Sequence, residues 1–139
     1  MTEHNAILLS GPWFEDFHVG LQFDAPAITL TEGHASLHQA LFGDRLRLPL
    51  DRHASARITS VEAPLAHPLL VINVAIGQST WASQRVKANL FYRGLLLQRP
   101  VFIGDTLYTR TRVVALRQNR VQEGRAATGI VALEMTTTN

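Results

Sequence analysis

Two histidines four residues apart give the first indication of chemistry in this sequence. His34 and His38 have the i, i+4 spacing that places two side chains on one face of a helix, where two imidazoles can bind a metal ion. No carboxylate or third histidine completes a ligand set around them. We therefore expect a solvated helix face at this point, and no metal site.

Arginine is the second residue type with a chemical role to consider. Guanidinium groups pair well with phosphate, and Arg110 and Arg112, two apart on a predicted strand, share one face. A solvated sheet face explains the same residues equally well. The candidates for phosphate binding in the second half of the chain are Arg110, Arg112, Arg117, Arg120 and Arg125.

The histidine pair requires a helix in the first half of the chain. Thr29 and Glu32 have the spacing of a capping box, and Thr31 is an alternative N-cap. The helix should begin near these residues and end before Gly43. Its predicted buried face consists of Leu37, Ala40 and Leu41.

A second helix is predicted after Pro68, which fits the first turn because its missing N–H would be unpaired there. Residues Leu69 to Trp81 are apolar nearly all round, so we expect this helix to be fully enclosed. Residues 44–64 show no sustained period, which predicts an irregular loop that can include a short helix.

The remaining runs favour strands. The segment Leu21 to Thr31 precedes the first helix, and three consecutive antiparallel strands follow the second, separated by turns at Gly104-Asp105 and at residues 118–124. This order predicts an α+β fold in which a curved antiparallel sheet wraps a long buried helix. The three later strands are predicted at Ala88 to Leu97, Thr106 to Leu116 and Thr128 to Thr138.

Length and composition set the class of protein. A chain of 139 residues, 46% hydrophobic and 17% charged, fits one globular domain spanning residues 1–139. The net charge of +2 is too small to indicate nucleic-acid binding. The apolar stretch Pro64 to Gly77 is too short to span a membrane, and residues 1–10 lack a signal-peptide pattern. With no cysteine, the cytoplasm is the expected compartment.

A set of short motifs recurs in family-like order and spacing along nearly the whole chain. Through them the sequence resembles the MaoC-like hotdog acyl-CoA hydratases and dehydratases, and within these the mesaconyl-CoA hydratase branch. The resemblance implies a single hotdog domain whose last family strand is absent. The motifs are Phe14-Glu15-Asp16-Phe17, Thr31-Glu32, Phe42-Gly43-Asp44, Ala63-Pro64-Leu65-Ala66-His67, Val101-Phe102-Ile103-Gly104-Asp105-Thr106-Leu107 and Leu116-Arg117-Gln118-Asn119.

The resemblance also implies where the site lies and where this chain departs from the family. The standard motif is Asp-x-Asn-Pro-x-His, whose Asp and His hold a water for addition to an enoyl-CoA. Asp44 matches the Asp, but Leu46 stands at the Asn and Pro49 at the His. Pro68 replaces a glycine whose backbone N–H polarises the thioester carbonyl, and proline has no N–H to give.

Site candidates follow from the resemblance, each with a structural alternative. Asp44 could work with His53 or His67; otherwise Asp44 is a turn residue, His67 a helix cap and His53 a surface residue. The candidates for binding the substrate, including its CoA phosphates, are Asn89, Tyr92, Arg93, Arg110 and Arg112.

Three functions fit these observations. The first is hydration or dehydration of a small acyl-CoA thioester, with CoA as part of the substrate and no other cofactor, in a pocket between two hotdog domains. A homodimer or higher homo-oligomer is then expected. The second is a non-catalytic acyl-CoA-binding subunit that pairs with a competent, related hotdog subunit. The third is a hotdog thioesterase, in which Asp44 or Glu62 would activate water.

Overall fold

A computed structural model describes residues 10–121, 123–124 and 127–139 of the chain. Arg125 and the N-terminal segment up to residue 9, both interpreted above, lie outside these residues. After a 3-10 turn at Phe14–Asp16, the chain forms strands β1 (Gln22–Asp24) and β2 (Ile28–Thr29), helices α1 (Glu32–Phe42), α2 (Arg47–Leu50), α3 (Arg52–Thr59), α4 (Pro68–Gln78) and α5 (Thr80–Ser83), and strands β3 (Thr106–Gln118) and β4 (Gly129–Thr138).

The sheet is built around β3. Strand β4 pairs with β3 along most of its length, while β1 pairs with residues 110–112 of β3 and β2 with residues 106–107; all of these pairs are antiparallel. The β3–β4 register shifts between Val113 and Ala115, and such a bulge bends a strand. The predicted α+β class, with a curved antiparallel sheet beside helices, is confirmed.

The core lies between β3 and α4. Side chains on β3 alternate, so that Leu107, Thr109, Thr111 and Val113 are buried while the arginines between them are exposed. Leu107 joins a cluster of buried residues from α4, the segment before α4 and the residue that follows β2. The other members of that cluster are Leu30, Ala66 and Val71.

Short backbone contacts fix the start of α4 against the start of β3. Ala66 donates its N–H to the Val101 carbonyl at 2.8 Å, and Ile103 donates to the Pro64 carbonyl at 2.9 Å. In the turn before β3, the Asp105 carboxylate accepts the Phe102 N–H at 2.9 Å. These hydrogen bonds fix the position of the residue just before α4.

The predicted bounds of α1 are confirmed, but its buried face is not the predicted one. Thr31 is the N-cap, and its hydroxyl accepts the His34 N–H. Leu37 and Leu41 are 61% and 70% exposed and Ala40 is exposed, so the prediction that these residues are buried is wrong. The buried residue of α1 is His38, so the predicted solvated face is also wrong at this residue. Apolar periodicity indicates which residues favour burial, whereas the packing partner decides which face is covered.

The predicted enclosure of the second helix is also wrong. Helix α4 buries Leu70 and Val71 against the sheet but leaves Leu69 exposed, and Trp81 is exposed beyond its end. A four-stranded sheet covers one side of this helix, so the remaining side stays open among the described residues. Residues 44–64, predicted as an irregular loop that can include a short helix, contain two helices, α2 and α3.

Residues 88–97 form no strand, contrary to the prediction. They are exposed throughout, and no backbone hydrogen bond joins them to another described residue. A strand requires hydrogen bonds to a neighbour, and β-forming side chains alone do not supply that neighbour. The strands predicted at 106–116 and 128–138 are confirmed as β3 and β4. Within the described ranges, no helix has the length and apolar character needed to span a membrane.

Candidate functional site

The structure brings Asp44 and His67 into direct contact. Gly43 ends α1 in the left-handed conformation, with φ 60°, and the chain turns there to place Asp44 beside the start of α4. His67 is the N-cap of α4. Asp44 Oδ2 lies 2.5 Å from His67 Nε2, and the two side chains are 23% and 7% exposed. Residues 23 apart in sequence thus form a largely buried acid–base pair.

The Asp44 carboxylate is held in its ionised form. Its Oδ1 accepts the backbone N–H of Leu46 at 2.6 Å. This hydrogen bond is the main cause of a pKa of Asp44 below its ordinary value; partial burial opposes the shift, and the neighbouring His67 adds to it. Asp44 is therefore both a turn residue and a charged group at the site.

The hydrogen bonds of His67 define its tautomer. Its Nδ1 accepts the Leu69 N–H at 3.1 Å, so this nitrogen carries no proton. Nε2 then carries the proton and donates a hydrogen bond to Asp44. His67 is therefore a helix cap and a donor to a carboxylate at the same time, which unites the two alternatives left open by the sequence.

A third titratable residue, His38, packs behind this pair. Its ring centroid lies 4.7 Å from that of His67 and 4.8 Å from that of Phe42. From the sequence, His38 was a candidate only together with His34, whose Nδ1 instead accepts the Thr31 N–H in the N-terminal cap of α1. The position of His38 could have indicated this placement from the sequence. His38 and Phe42 are one helical turn apart, and Phe42 stands two residues before Asp44.

Comparisons with known proteins relate this chain to dehydratases. The beta-methylmalyl-CoA dehydratase of Chloroflexus aurantiacus is 35% identical over 112 residues, which are 79% of this chain and 32% of the relative. A solved structure of a conserved hypothetical Mycobacterium tuberculosis protein with a double hotdog fold matches at 57% identity and TM-score 0.90, over 94% of this chain and 40% of that one. A putative MaoC domain protein dehydratase from Chloroflexus aurantiacus matches at 32% identity and TM-score 0.83, over 96% and 37%.

The chain belongs to the MaoC-like hotdog family. No protein-family model matches it. The chain spans about a third of the curated dehydratase and about two fifths of the double-hotdog protein. Most of each relative therefore has no counterpart in this chain.

The departures from the MaoC-like motif have visible consequences. Leu46 contributes its backbone N–H to Asp44, in place of any side-chain contact from that position. Pro49 lies within α2, where its carbonyl accepts a hydrogen bond from Gln39 at 3.4 Å. Pro68 occupies the first turn of α4, and the next N–H, from Leu69, is already bonded to His67. Asp44 therefore has His67, rather than a motif histidine at position 49, as its partner.

The other candidate residues lie apart from this pair. His53 is exposed on α3. Asn89 donates to the Tyr92 hydroxyl at 3.2 Å within the exposed segment that also holds Arg93. Two of the candidate arginines are already paired with carboxylates on the exposed sheet face: Arg110 with Asp24 at 2.7 Å, and Arg112 with Glu134 at 3.0 Å.

An open cavity of about 420 Å³ lies at the other end of α4. Its walls come from residues 25–28 and from the end of α4 through α5, and no lining residue is titratable. Gln78 in its wall is about 16–17 Å along the helix axis from His67, at ~1.5 Å per residue. Among the described residues, the titratable pair Asp44–His67 lies at the start of α4, at the opposite end from this cavity. No cluster of three potential metal ligands occurs in the part of the chain that the structure describes.

Proposed function

We propose that this protein adds water to, or removes it from, a small acyl-CoA thioester. The observation that carries the proposal is the 2.5 Å contact between Asp44 and His67 at the start of α4. Support comes from the 35% identity to a beta-methylmalyl-CoA dehydratase and the 32% identity to a putative MaoC domain protein dehydratase.

In the hydration direction, Asp44 acts first as a base and then as an acid. Its ionised carboxylate takes a proton from a water molecule as the water oxygen bonds to the β-carbon of the enoyl thioester. The same carboxyl group then gives that proton to the α-carbon, which restores the carboxylate. A lowered pKa makes Asp44 a stronger acid for the second step and a weaker base for the first. No redox or metal cofactor is required for this exchange.

His67 orients the carboxylate in this scheme. Its Nε2–H donates to Oδ2 while its Nδ1 is fixed by the Leu69 N–H, so the donor points at Asp44 in a defined direction. The Leu46 N–H holds the other oxygen. With both oxygens held, the remaining lone pairs of the carboxylate are available to a water on its exposed side.

A small, branched dicarboxylic acyl group is the substrate class we propose, by analogy with the beta-methylmalyl group in the name of the curated relative. The open side of α4 and the exposed apolar residues of α1 suggest that a second hotdog domain completes the pocket. We propose that a second copy or a related subunit supplies it, and that the reaction takes place in the cytoplasm.

The position of Pro68 favours a second candidate, a non-catalytic acyl-CoA-binding subunit. The first residue of α4 offers no N–H and the second is bonded to His67, so neither can stabilise charge on the thioester oxygen. Loss of one such donor typically lowers a rate about 10²–10³-fold. In this candidate, the partner hotdog would carry the reaction and this chain would shape the acyl site.

The test is hydration of a panel of short 2,3-enoyl-CoA thioesters, with and without a second carboxylate, followed at the enoyl absorbance. The proposal predicts turnover by the purified chain, highest for branched dicarboxylic thioesters. Binding of the same thioesters is measured in parallel by calorimetry. Binding without turnover would refute the hydratase proposal and support the binding subunit, and neither binding nor turnover would refute both.

A further inference from the structure

His38 is buried without any hydrogen bond from its ring. It is 5% exposed, and neither Nδ1 nor Nε2 has a partner among the described residues. Burying a polar group without a partner costs free energy, because its hydrogen bonds to water are lost and not replaced. An apolar aromatic ring would fill the same space without that cost, so the ring nitrogens do not stabilise His38 at this position.

The contacts of His38 are made by the faces of its ring. The ring lies 4.7 Å from the His67 ring, at 31° between the planes, and 4.8 Å from Phe42, at 44°. The side chain therefore sits between an aromatic residue of its own helix and the imidazole that donates to Asp44. Aromatic rings at these separations attract one another and restrict each other's orientation.

The orientation of His67 needs such a contact. Its hydrogen bonds to Leu69 and Asp44 are made through its two nitrogens, in the plane of the ring. Small rotations about the Cβ–Cγ bond still tilt the ring, because a hydrogen bond keeps most of its strength until it is strongly bent. A neighbour against the face of the ring blocks that tilt, and His38 is placed there.

We infer that His38 is a positioning residue, whose ring holds the His67 imidazole in the plane that directs Nε2–H at Asp44. The inference rests on the proposed hydratase function for its effect on rate, but its effect on His67 is independent of that function. The ring face is the part that acts. The ring nitrogens are dispensable, because they make no hydrogen bond that could be lost.

Two substitutions separate the ring from its nitrogens. His38→Phe keeps a planar aromatic ring and removes the unpaired polar atoms, so it is expected to keep His67 in place and to raise the melting temperature. His38→Leu removes the planar ring while keeping an apolar side chain, so His67 should tilt. Ser36→Ala, at an exposed position of the same helix, is the matched control.

The first readout is the nitrogen NMR spectrum of the full chain at neutral pH, with the His67 signals assigned by their loss in His67→Gln. We expect wild type, His38→Phe and Ser36→Ala to show one His67 tautomer, protonated at Nε2. His38→Leu should show shifted or averaged His67 signals. An unchanged His67 in His38→Leu, or a changed one in His38→Phe, would overturn the inference.

The second readout is hydration of an enoyl-CoA thioester. His38→Leu should lower kcat at least tenfold with little change in KM, since the substrate-binding surface is untouched, and His38→Phe should retain the wild-type kcat. A loss of kcat in His38→Phe would show that the nitrogens act and would refute a role of the ring alone. If wild type shows no hydration, the proposed function fails, and the NMR result still decides the positioning role.

Discussion

Gln78, the last residue of α4, should be one of the largest polar contributors to the stability of this fold. Its Nε2 donates to the carbonyls of Pro26, at 2.9 Å, and of Leu107, at 3.1 Å. Its Oε1 accepts the hydroxyl of Thr109 at 2.7 Å. One amide thus ties the end of α4 to the β1–β2 connection and to the central strand.

The expected cost of Gln78→Ala follows from these three bonds. The two bonds to β3 are partly buried and should contribute about 1–1.5 kcal/mol each, while the exposed bond to Pro26 should contribute less, since water can replace it. The sum is about 2–3 kcal/mol. The free energy of unfolding, measured by urea titration followed by circular dichroism, is the quantity to compare.

Gln98→Ala is the control for this substitution, because Gln98 is exposed and lies outside every helix and strand, directly after residues 88–97. A surface change of this kind should stay within about 0.5 kcal/mol. If Gln78→Ala costs no more than Gln98→Ala, the three bonds do not join α4 to the sheet, and the account of the core given above is incorrect.

Two further predictions concern the start of α4. Because the folded-state pKa of Asp44 lies below its ordinary value of 3.8, its stabilising effect is complete above about pH 5 and is lost as the pH falls through the folded value. The difference in unfolding free energy between wild type and Asp44→Asn should therefore be constant from about pH 5 to 7 and shrink towards pH 3; a difference that grows on acidification would contradict the lowered pKa. Pro68→Gly restores a backbone N–H at the first turn of α4, so enoyl-CoA turnover should rise about 10²-fold, with at most about 1 kcal/mol lost in stability. Unchanged turnover would show that the thioester oxygen does not face this helix end.

The elements that the sequence predicts correctly are those set by local chemistry. The end of α1 depends on a glycine that tolerates the left-handed conformation, and the start of α4 on a proline that fits a first turn. Two residues of the candidate site could be predicted as well as these helix ends. Asp44 and His67 were candidates through the family resemblance, and the structure places them in contact.

The predictions that are wrong depend on partners distant in sequence. The apolar and aromatic residues within 88–97 favour a strand, yet hydrogen bonds to a neighbour decide whether one forms. Leu37 and Leu41 form an apolar face of α1, but α1 packs on the start of α4 through His38. Only the assembled fold shows that His38 lies against His67, since no local pattern relates residues on different helices.

The central claim is that the Asp44 carboxylate carries out proton transfer in enoyl-CoA hydration. The most direct measurement is kcat for Asp44→Asn beside Asp16→Asn. The Asp16 carboxylate is exposed and, among the described residues, accepts only the Trp13 N–H, which an amide oxygen can also accept. The account predicts a loss of about 10²–10⁴-fold for Asp44→Asn and wild-type turnover for Asp16→Asn. Equal turnover in the two variants would contradict it.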